Sequence, residues 1–299
     1  MTDVRLYLVV IRLAHPVRGT TERPGVLVEG PLGWGEWSPV PGFPCDPQRA
    51  WDAAYEAATA SWPTAQTDVI DVAALVGDDS AIDALDPQTS CVKVKVGDDG
   101  DIDRVAQVRD RIGPHARLRV DANGVWDIET ACARLRAMAR YDLEFAEQPV
   151  ATLEDLAIVR RQVSMPIAAD ECVRSIDDVV RLRSHDAADI LVAKVQACGG
   201  VRALLDWAEQ AARPVVVSSM LETSVGLAAG VAAAAALGAQ PFAHGLGTGT
   251  LVLDDVVDVP LRAHNGQVRV ARPDVVLARV HAIATPTWPE SFPIVQERA

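Results

Sequence analysis

Apolar and polar positions along the chain follow two regimes. In the first ninety or so residues, 4–13 read as a buried or amphipathic strand. Residues 25–29 and 32–37 read as two more strands around the Glu29-Gly30-Pro31 turn, and 51–61 as a helix. Residues 18–25 are expected to be a polar loop carrying Arg18 and Arg23, and Pro39, Pro41, Pro44 and Pro47 to stiffen a second loop. From about Cys91 the period changes. Short apolar runs at 91–96, 118–120, 143–146, 167–169, 190–194, 215–219 and 242–245 alternate with helical patterns at 102–112, 128–140, 153–162, 176–184, 201–212 and 225–237. That alternation predicts parallel strands joined by helical crossovers.

A polar residue closes each apolar run: Lys95, Asp121, Glu147, Asp170, Lys194, Ser219 and His244, in steps of 23–26 residues by subtraction. A repeat this even predicts a barrel, whose working face is the rim at the C-terminal strand ends. The competing fold, an open doubly wound sheet, calls for a glycine-rich phosphate loop after its first strand. Val96-Gly97-Asp98-Asp99-Gly100 is not one. The expected fold class is therefore α/β: a (β/α) barrel over 89–255, with a smaller α+β capping domain over 1–88 to which 256–299 return. Residues 268–270 are a candidate strand in that return. Seven barrel strands are legible, which leaves the closure of the barrel open.

Composition narrows the class. With 299 residues and 49% hydrophobic content the chain can bury a large core. Its net charge of −13 and the lack of a basic stripe argue against nucleic acid or an anionic membrane as partner. The five cysteines are odd in number, widely spaced and without a CxxC, as in reduced thiols rather than a disulfide framework. Residues 1–10 do not have the form of a signal peptide, and the alanine-rich run 225–238 is too short to span a bilayer. A soluble, cytoplasmic protein acting on a small molecule is expected; the oligomeric state is not legible.

The strand ends carry the candidate chemistry. Asp121, Glu147 and Asp170 end successive strands, which lie about 4.8 Å apart in a sheet, so their carboxylates converge and repel. A hard divalent cation resolves that repulsion, and an all-oxygen ligand set suits Mg²⁺. The bland alternative is three acids starting three loops. Lys93 and Lys95 lie two apart, on the strand face opposite the valines. If that face points into the barrel, mutual repulsion and a nearby cation are expected to lower their pKa and make one a general base. If it lies on an edge, the lysines blunt the edge instead. Lys194 ends a strand roughly halfway round the rim from Lys95. Arg18 and Arg23 in the cap loop, and Ser218 and Ser219 at a strand end, are candidates for binding a substrate carboxylate, with solvated arginines and structural serines as the bland readings. His244 is expected to pack rather than react, and Trp34, Trp37 and Trp51 to pack the cap.

Taken in order, Lys93-Val94-Lys95, Val120-Asp121-Ala122-Asn123, Glu147-Gln148-Pro149, Asp170-Glu171, Lys194 and Ser218-Ser219-Met220-Leu221-Glu222-Thr223 resemble the enolase superfamily, muconate-lactonising branch, over nearly the whole chain. Residues 33–43, the short barrel units and the segment 245–248 resemble most the o-succinylbenzoate synthases in their actinobacterial form. The resemblance implies magnesium held by Asp121, Glu147 and Asp170, and removal of a proton next to a carboxylate. Lys95 would act as base and then acid, Lys194 would stabilise the enediolate by a cation–π contact, and Lys93 and Asn123 would support the site. It implies dehydration of 2-succinyl-6-hydroxy-2,4-cyclohexadiene-1-carboxylate to 2-succinylbenzoate in menaquinone biosynthesis. Branch relatives that racemise N-succinylamino acids or epimerise dipeptides use the same lysines. A non-catalytic binding barrel is the remaining alternative.

Overall fold

A computed structural model describes residues 3–17 and 19–293. The cap begins with three antiparallel strands, β1 (Arg5–Val17), β2 (Thr20–Gly30) and β3 (Gly33–Trp37), in the order β1-β2-β3. Helix α1 (Pro47–Thr59) packs on β3; Asp46 caps its N-terminus by accepting from the Gln48 N–H. The approach is close, since a Cβ on Gly35 would stand 1.8 Å from the Ala54 carbonyl oxygen. Trp37 and Trp51 pack edge-on against Phe292 from the far end of the chain, and Trp34 lies against Tyr7.

One expectation for the cap fails. Residues 20–25 are strand, not loop, and Arg23 is a fully buried residue within it. The strand is legible only with its tertiary partners, because the charges of Glu22 and Arg23 mask the pattern. Arg18 lies outside the described residues.

The larger unit is a parallel sheet of seven strands in sequence order: β5 (Ala74–Val76), β6 (Cys91–Lys95), β7 (Arg117–Asp121), β8 (Leu143–Glu147), β9 (Ile167–Ala169), β10 (Ile190–Lys194) and β11 (Val215–Ser218). Its helices are α2 (Asp101–Ile112), α3 (Ile128–Met138), α4 (Leu153–Arg160), α5 (Ile176–Ser184), a short α6 (Val195–Cys198), α7 (Val201–Ala211) and α8 (Ser224–Leu237). Asp127, Thr152, Ser175 and Thr223 cap the N-termini of α3, α4, α5 and α8 with their side chains.

The alternation along each strand divides inside from outside. Val92, Val94, Val120, Ala146 and Leu191 join the helices in the main core, while Phe145, Ala168, Ile190, Val192 and Val216 fill the barrel interior. Each of the larger buried side chains contributes roughly 1.5–3 kcal/mol.

The run expected as a strand at 242–245 is reduced to single bridges, yet those bridges close the barrel. His244 pairs with Val72 and Gly245 with Ser218, both parallel. The His244 N–H donates to the Asp71 carbonyl at 2.8 Å and the Gly245 N–H to the Val217 carbonyl at 2.8 Å. Residues 71–73, which lead into β5, a strand not expected from the sequence, supply the other side of the seam. Strand β5 lies ahead of residue 89, where the barrel was expected to begin, so the parallel sheet starts within the stretch assigned to the cap. At three residues, ending in Val76-Gly77, β5 has no polar terminus to mark it.

Past the barrel, β12 (Gln267–Arg269) pairs antiparallel with β4 (Val69–Asp71), and a last helix α9 (Leu277–Ala282) follows. The chain then meets the cap: the Val10 N–H donates to the Ile283 carbonyl at 2.9 Å and the Thr285 N–H to the Leu8 carbonyl at 2.9 Å. Among the described residues no helix is long and apolar enough to cross a membrane. The alanine-rich α8 is buried on nearly all sides.

Candidate active site

Register places three of the expected residues in one row. Lys95 on β6 pairs with Asp121 on β7, which pairs with Glu147 on β8. Asp170 follows β9, and the turn carrying it is held by Gln148, whose side-chain oxygen accepts from the Asp170 N–H at 2.7 Å and the Cys172 N–H at 3.3 Å. Gln148 itself has a φ of 41° and Asn123 a φ of 48°, left-handed backbone of the kind that clusters at working strand ends. Lys194 ends β10 and immediately precedes α6, without capping it through its side chain. The acids therefore form an arc on β7–β9 between a lysine on β6 and a lysine on β10.

The three carboxylates are 1%, 2% and 5% exposed, for Asp121, Glu147 and Asp170. The Lys95 ammonium donates to Asp121 Oδ2 at 2.6 Å and to Asn123 Oδ1 at 2.9 Å. Lys93 bridges Asp121 and Glu147, at 2.9 Å to each. Lys194 donates to both oxygens of Asp170, at 2.5 Å to Oδ1, with its ammonium 4.2 Å from the centre of the Phe43 ring. Asn123 also donates to Glu171 Oε1 at 2.8 Å.

These contacts set the charge balance of the site in the absence of a metal ion. Burial alone would lower the pKa of Lys93 and Lys194, but the facing carboxylates outweigh it and raise both, Lys93 through Asp121 and Glu147 and Lys194 chiefly through Asp170. Burial would likewise raise Asp121, yet Lys93 and Lys95 hold it well below the usual carboxylate range. Glu147 is pushed up to about 7 by burial, then by the charges of Asp121 and Asp170.

That crowding at Glu147 bears on a metal. Three buried acids raise one another's energy, and their donor set is entirely hard oxygen, which fits a divalent cation. Among the described residues no three acid, imidazole or thiol side chains are gathered into ligand geometry, because the oxygens turn toward the lysines.

A cavity of about 300 Å³ lies over this arc, near the lower bound of small-molecule sites. Lys93, Lys95, Asp121, Asn123, Asp170 and Lys194 line its floor. Ser218, Ser219, Gly245 and Thr248 form one wall, and Pro16, Val17, Val40 and Phe43 of the cap form the roof. Ser219 Oγ lies 2.7 Å from Thr248 Oγ1. Glu147 sits behind Lys93 and does not reach the cavity surface.

Phe43, Gln196 and Arg119 were not singled out as site residues by sequence reasoning. Phe43 entered only as the end of the 33–43 resemblance and Gln196 not at all, because their partners are far along the chain. Arg119 is fully buried below the site: it donates to Glu144 Oε2 at 2.5 Å and to the Ala243 carbonyl at 2.7 Å, and lies 4.5 Å from the centre of the Phe145 ring. Arg23, expected as a candidate for a substrate carboxylate, does not line the cavity and instead serves the seam between cap and barrel, where it is fully buried. It donates to the carbonyls of Ser38 and of Leu221, whose φ is 60°. Beside it burial pushes Glu36 up to about 7, against the charge of Arg23.

Comparison with known proteins bears on this geometry. Residues 79–274 match the family described as enolase C-terminal domain-like, and residues 8–58 the enolase N-terminal domain-like family. The chain is 48% identical over 275 residues to the o-succinylbenzoate synthase of Thermobifida fusca (strain YX), covering 89% of this chain and 87% of the relative. It is 41% identical over 294 residues to the o-succinylbenzoate synthase of Mycobacterium tuberculosis (strain ATCC 25618 / H37Rv), covering 94% and 89%. In fold it is similar to the muconate lactonizing enzyme from Pseudomonas putida, with TM-score 0.83 at 19% identity over 95% of this chain and 99% of that one.

Proposed function

The chain belongs to the enolase superfamily, among its o-succinylbenzoate synthases, and on that footing we propose how its residues carry out the reaction. It is a carbon–oxygen lyase that removes water from 2-succinyl-6-hydroxy-2,4-cyclohexadiene-1-carboxylate to leave 2-succinylbenzoate, a step of menaquinone biosynthesis. The family is metal-dependent. That the ion is Mg²⁺, and that Asp121, Glu147 and Asp170 carry it, belongs to the proposal. So do the cap boundary at 88 and the barrel boundary at 255, with the qualification that β5 is already part of the parallel sheet.

The observation that carries the reading is the pair Lys95 and Lys194, which line one cavity from opposite sides of the acid arc. A substrate ring between them presents one face to each. Lys95 takes the proton from the carbon bearing the carboxylate: the C–H bond breaks, its electron pair stays on the substrate, and the proton moves to Nζ. Lys194 faces the resulting anion from the other side as a fixed cation. The carbon–oxygen bond to the hydroxyl then breaks, and Lys95 returns its proton to the departing oxygen as water. The ring becomes aromatic, which makes this second stage downhill. Asn123, which accepts from Lys95, fixes the Nζ position. A divalent cation held by Asp121, Glu147 and Asp170 would neutralise these acids, weaken their hold on the lysine protons and polarise the substrate carboxylate. Lys93 stays between Asp121 and Glu147 and orients both. Ser218 and Ser219 line the wall where the succinyl carboxylate is placed in this reading; Arg18 remains a candidate for the same group.

Incubation with the cyclohexadiene substrate and Mg²⁺ is expected to give 2-succinylbenzoate, to stop on chelation and to resume on adding Mg²⁺. No product above the uncatalysed rate would sink the assignment. Two lysines facing one cavity also satisfy the geometry of racemisation. Deuterium uptake from D₂O into N-succinylamino acids, with loss of optical activity, is the test of that second activity.

A further inference from the structure

We propose, resting on Lys194 as a lysine of the active site, that Gln196 is a positioning residue whose side-chain amide ties the cap loop carrying Phe43 to the strand end carrying Lys194. Gln196 lies two residues beyond Lys194 on α6 and is 2% exposed. Its Oε1 accepts from the Ser38 N–H at 2.8 Å, and its Nε2 donates to Glu222 Oε1 at 3.0 Å. The other Glu222 oxygen accepts from the Met220 N–H at 2.7 Å. One amide therefore joins three segments that border the cavity: the start of the cap loop, the Lys194 strand end and the 219–222 turn.

The chemistry fixes the amide's orientation. The Ser38 N–H needs an acceptor and the Glu222 carboxylate needs a donor, and a primary amide offers both from a single side chain. The loop beyond Ser38 transmits the tie because it has little freedom of its own. Pro39, Pro41 and Pro44 restrict its backbone, the Phe43 N–H donates to the Val40 carbonyl at 3.1 Å, and Trp37 Nε1 closes its base on the Pro47 carbonyl at 3.0 Å. A stiff loop held at its first residue delivers Phe43 to a fixed place over the Lys194 ammonium, 4.2 Å away. Arg23 and Glu36 also hold Ser38, but they are residues of the cap itself; Gln196 comes from the element that bears the lysine.

The test is Gln196→Leu, close in size and without hydrogen-bonding groups, studied by amide hydrogen exchange of the substrate-free protein and by steady-state kinetics. Loss of the tie is expected to speed exchange across residues 38–45 by about tenfold while the barrel helices stay protected, the scale of one buried hydrogen bond. KM is expected to rise about tenfold with kcat held within about threefold, because the cover and not the proton transfer is disturbed. Unchanged exchange at 38–45, or a kcat that falls as far as KM rises, overturns the proposal. If Gln196→Leu does not fold, Gln196→Met is measured the same way; failure of both to fold makes Gln196 a residue of the fold and also overturns it. The exchange readout needs no turnover, so a wild-type protein lacking synthase activity would refute the assigned reaction and leave the tie to be judged separately.

Discussion

At the scale of the residue, the site is built from charges that would not tolerate one another alone. Asp170 is the acid whose two oxygens hold Lys194. Asp170→Asn removes a charge from the arc and a partner from the lysine, so divalent-cation affinity measured by titration calorimetry is expected to fall by at least about 10–100-fold. Undiminished affinity would place the ion elsewhere. The acids and lysines were legible in the sequence because a strand-end position is set by local spacing: Asp121, Glu147 and Asp170 each follow a short apolar run by a near-constant step. The pairing of each lysine with its carboxylate was not, because it depends on which side chains touch. Gln196 was illegible for the same reason, its partner Ser38 being 158 positions away.

At the scale of the element, barrel closure rests on His244. Its Nδ1 accepts from the Val217 N–H at 3.1 Å, so the ring must stay neutral at that nitrogen, and burial lowers its pKa to about 4. An unfolded histidine titrates near 6.5. Between the two values the unfolded chain binds a proton that the folded one refuses, so stability is intact above about pH 6.5 and falls as pH drops toward 4, by about 3 kcal/mol in all. In His244→Asn, whose amide oxygen can replace Nδ1, this loss is expected to vanish from the pH dependence of denaturant unfolding. An identical acid slope in both proteins would refute it. In the cap, Gly35→Ala sets a methyl 1.8 Å from the Ala54 carbonyl oxygen, so β3 and α1 must part. A lowered melting temperature, equivalent to about 1–3 kcal/mol or more, is expected. Helices α2, α3, α4, α5, α7 and α8 were legible to within a few residues at each end, and all but α7 carry a capping side chain or a glycine stop; the four-residue α6 was not expected. Strand β5 was not: three apolar residues without a polar terminus or a flanking crossover helix carry no period.

At the scale of the whole molecule, an acidic chain of net charge −13 gathers three lysines at one mouth and leaves the surplus of acid outside. In the proposed reading, a divalent cation at the acid arc would relieve buried repulsion that folding alone leaves in place. The melting temperature of metal-free protein is thus expected to rise on adding Mg²⁺, with about 2.7 kcal/mol gained at a hundredfold excess over Kd; no shift at saturating ion would contradict an inward-facing acid site. The two-part architecture was legible from the switch in period near Cys91, while the seam between the parts, with Arg23, Glu36 and Glu222 buried in it, was visible only once cap and barrel were brought together.

The central claim is that Lys95 removes the proton next to the carboxylate. The most direct measurement is turnover of the cyclohexadiene substrate by Lys95→Ala at saturating Mg²⁺, with circular dichroism confirming the fold. A fall in kcat of about a thousandfold or more, with cation binding retained, is the expected result. A folded, metal-loaded variant that turns over within about tenfold of the wild type would contradict it, since a lost general base costs at least about a hundredfold.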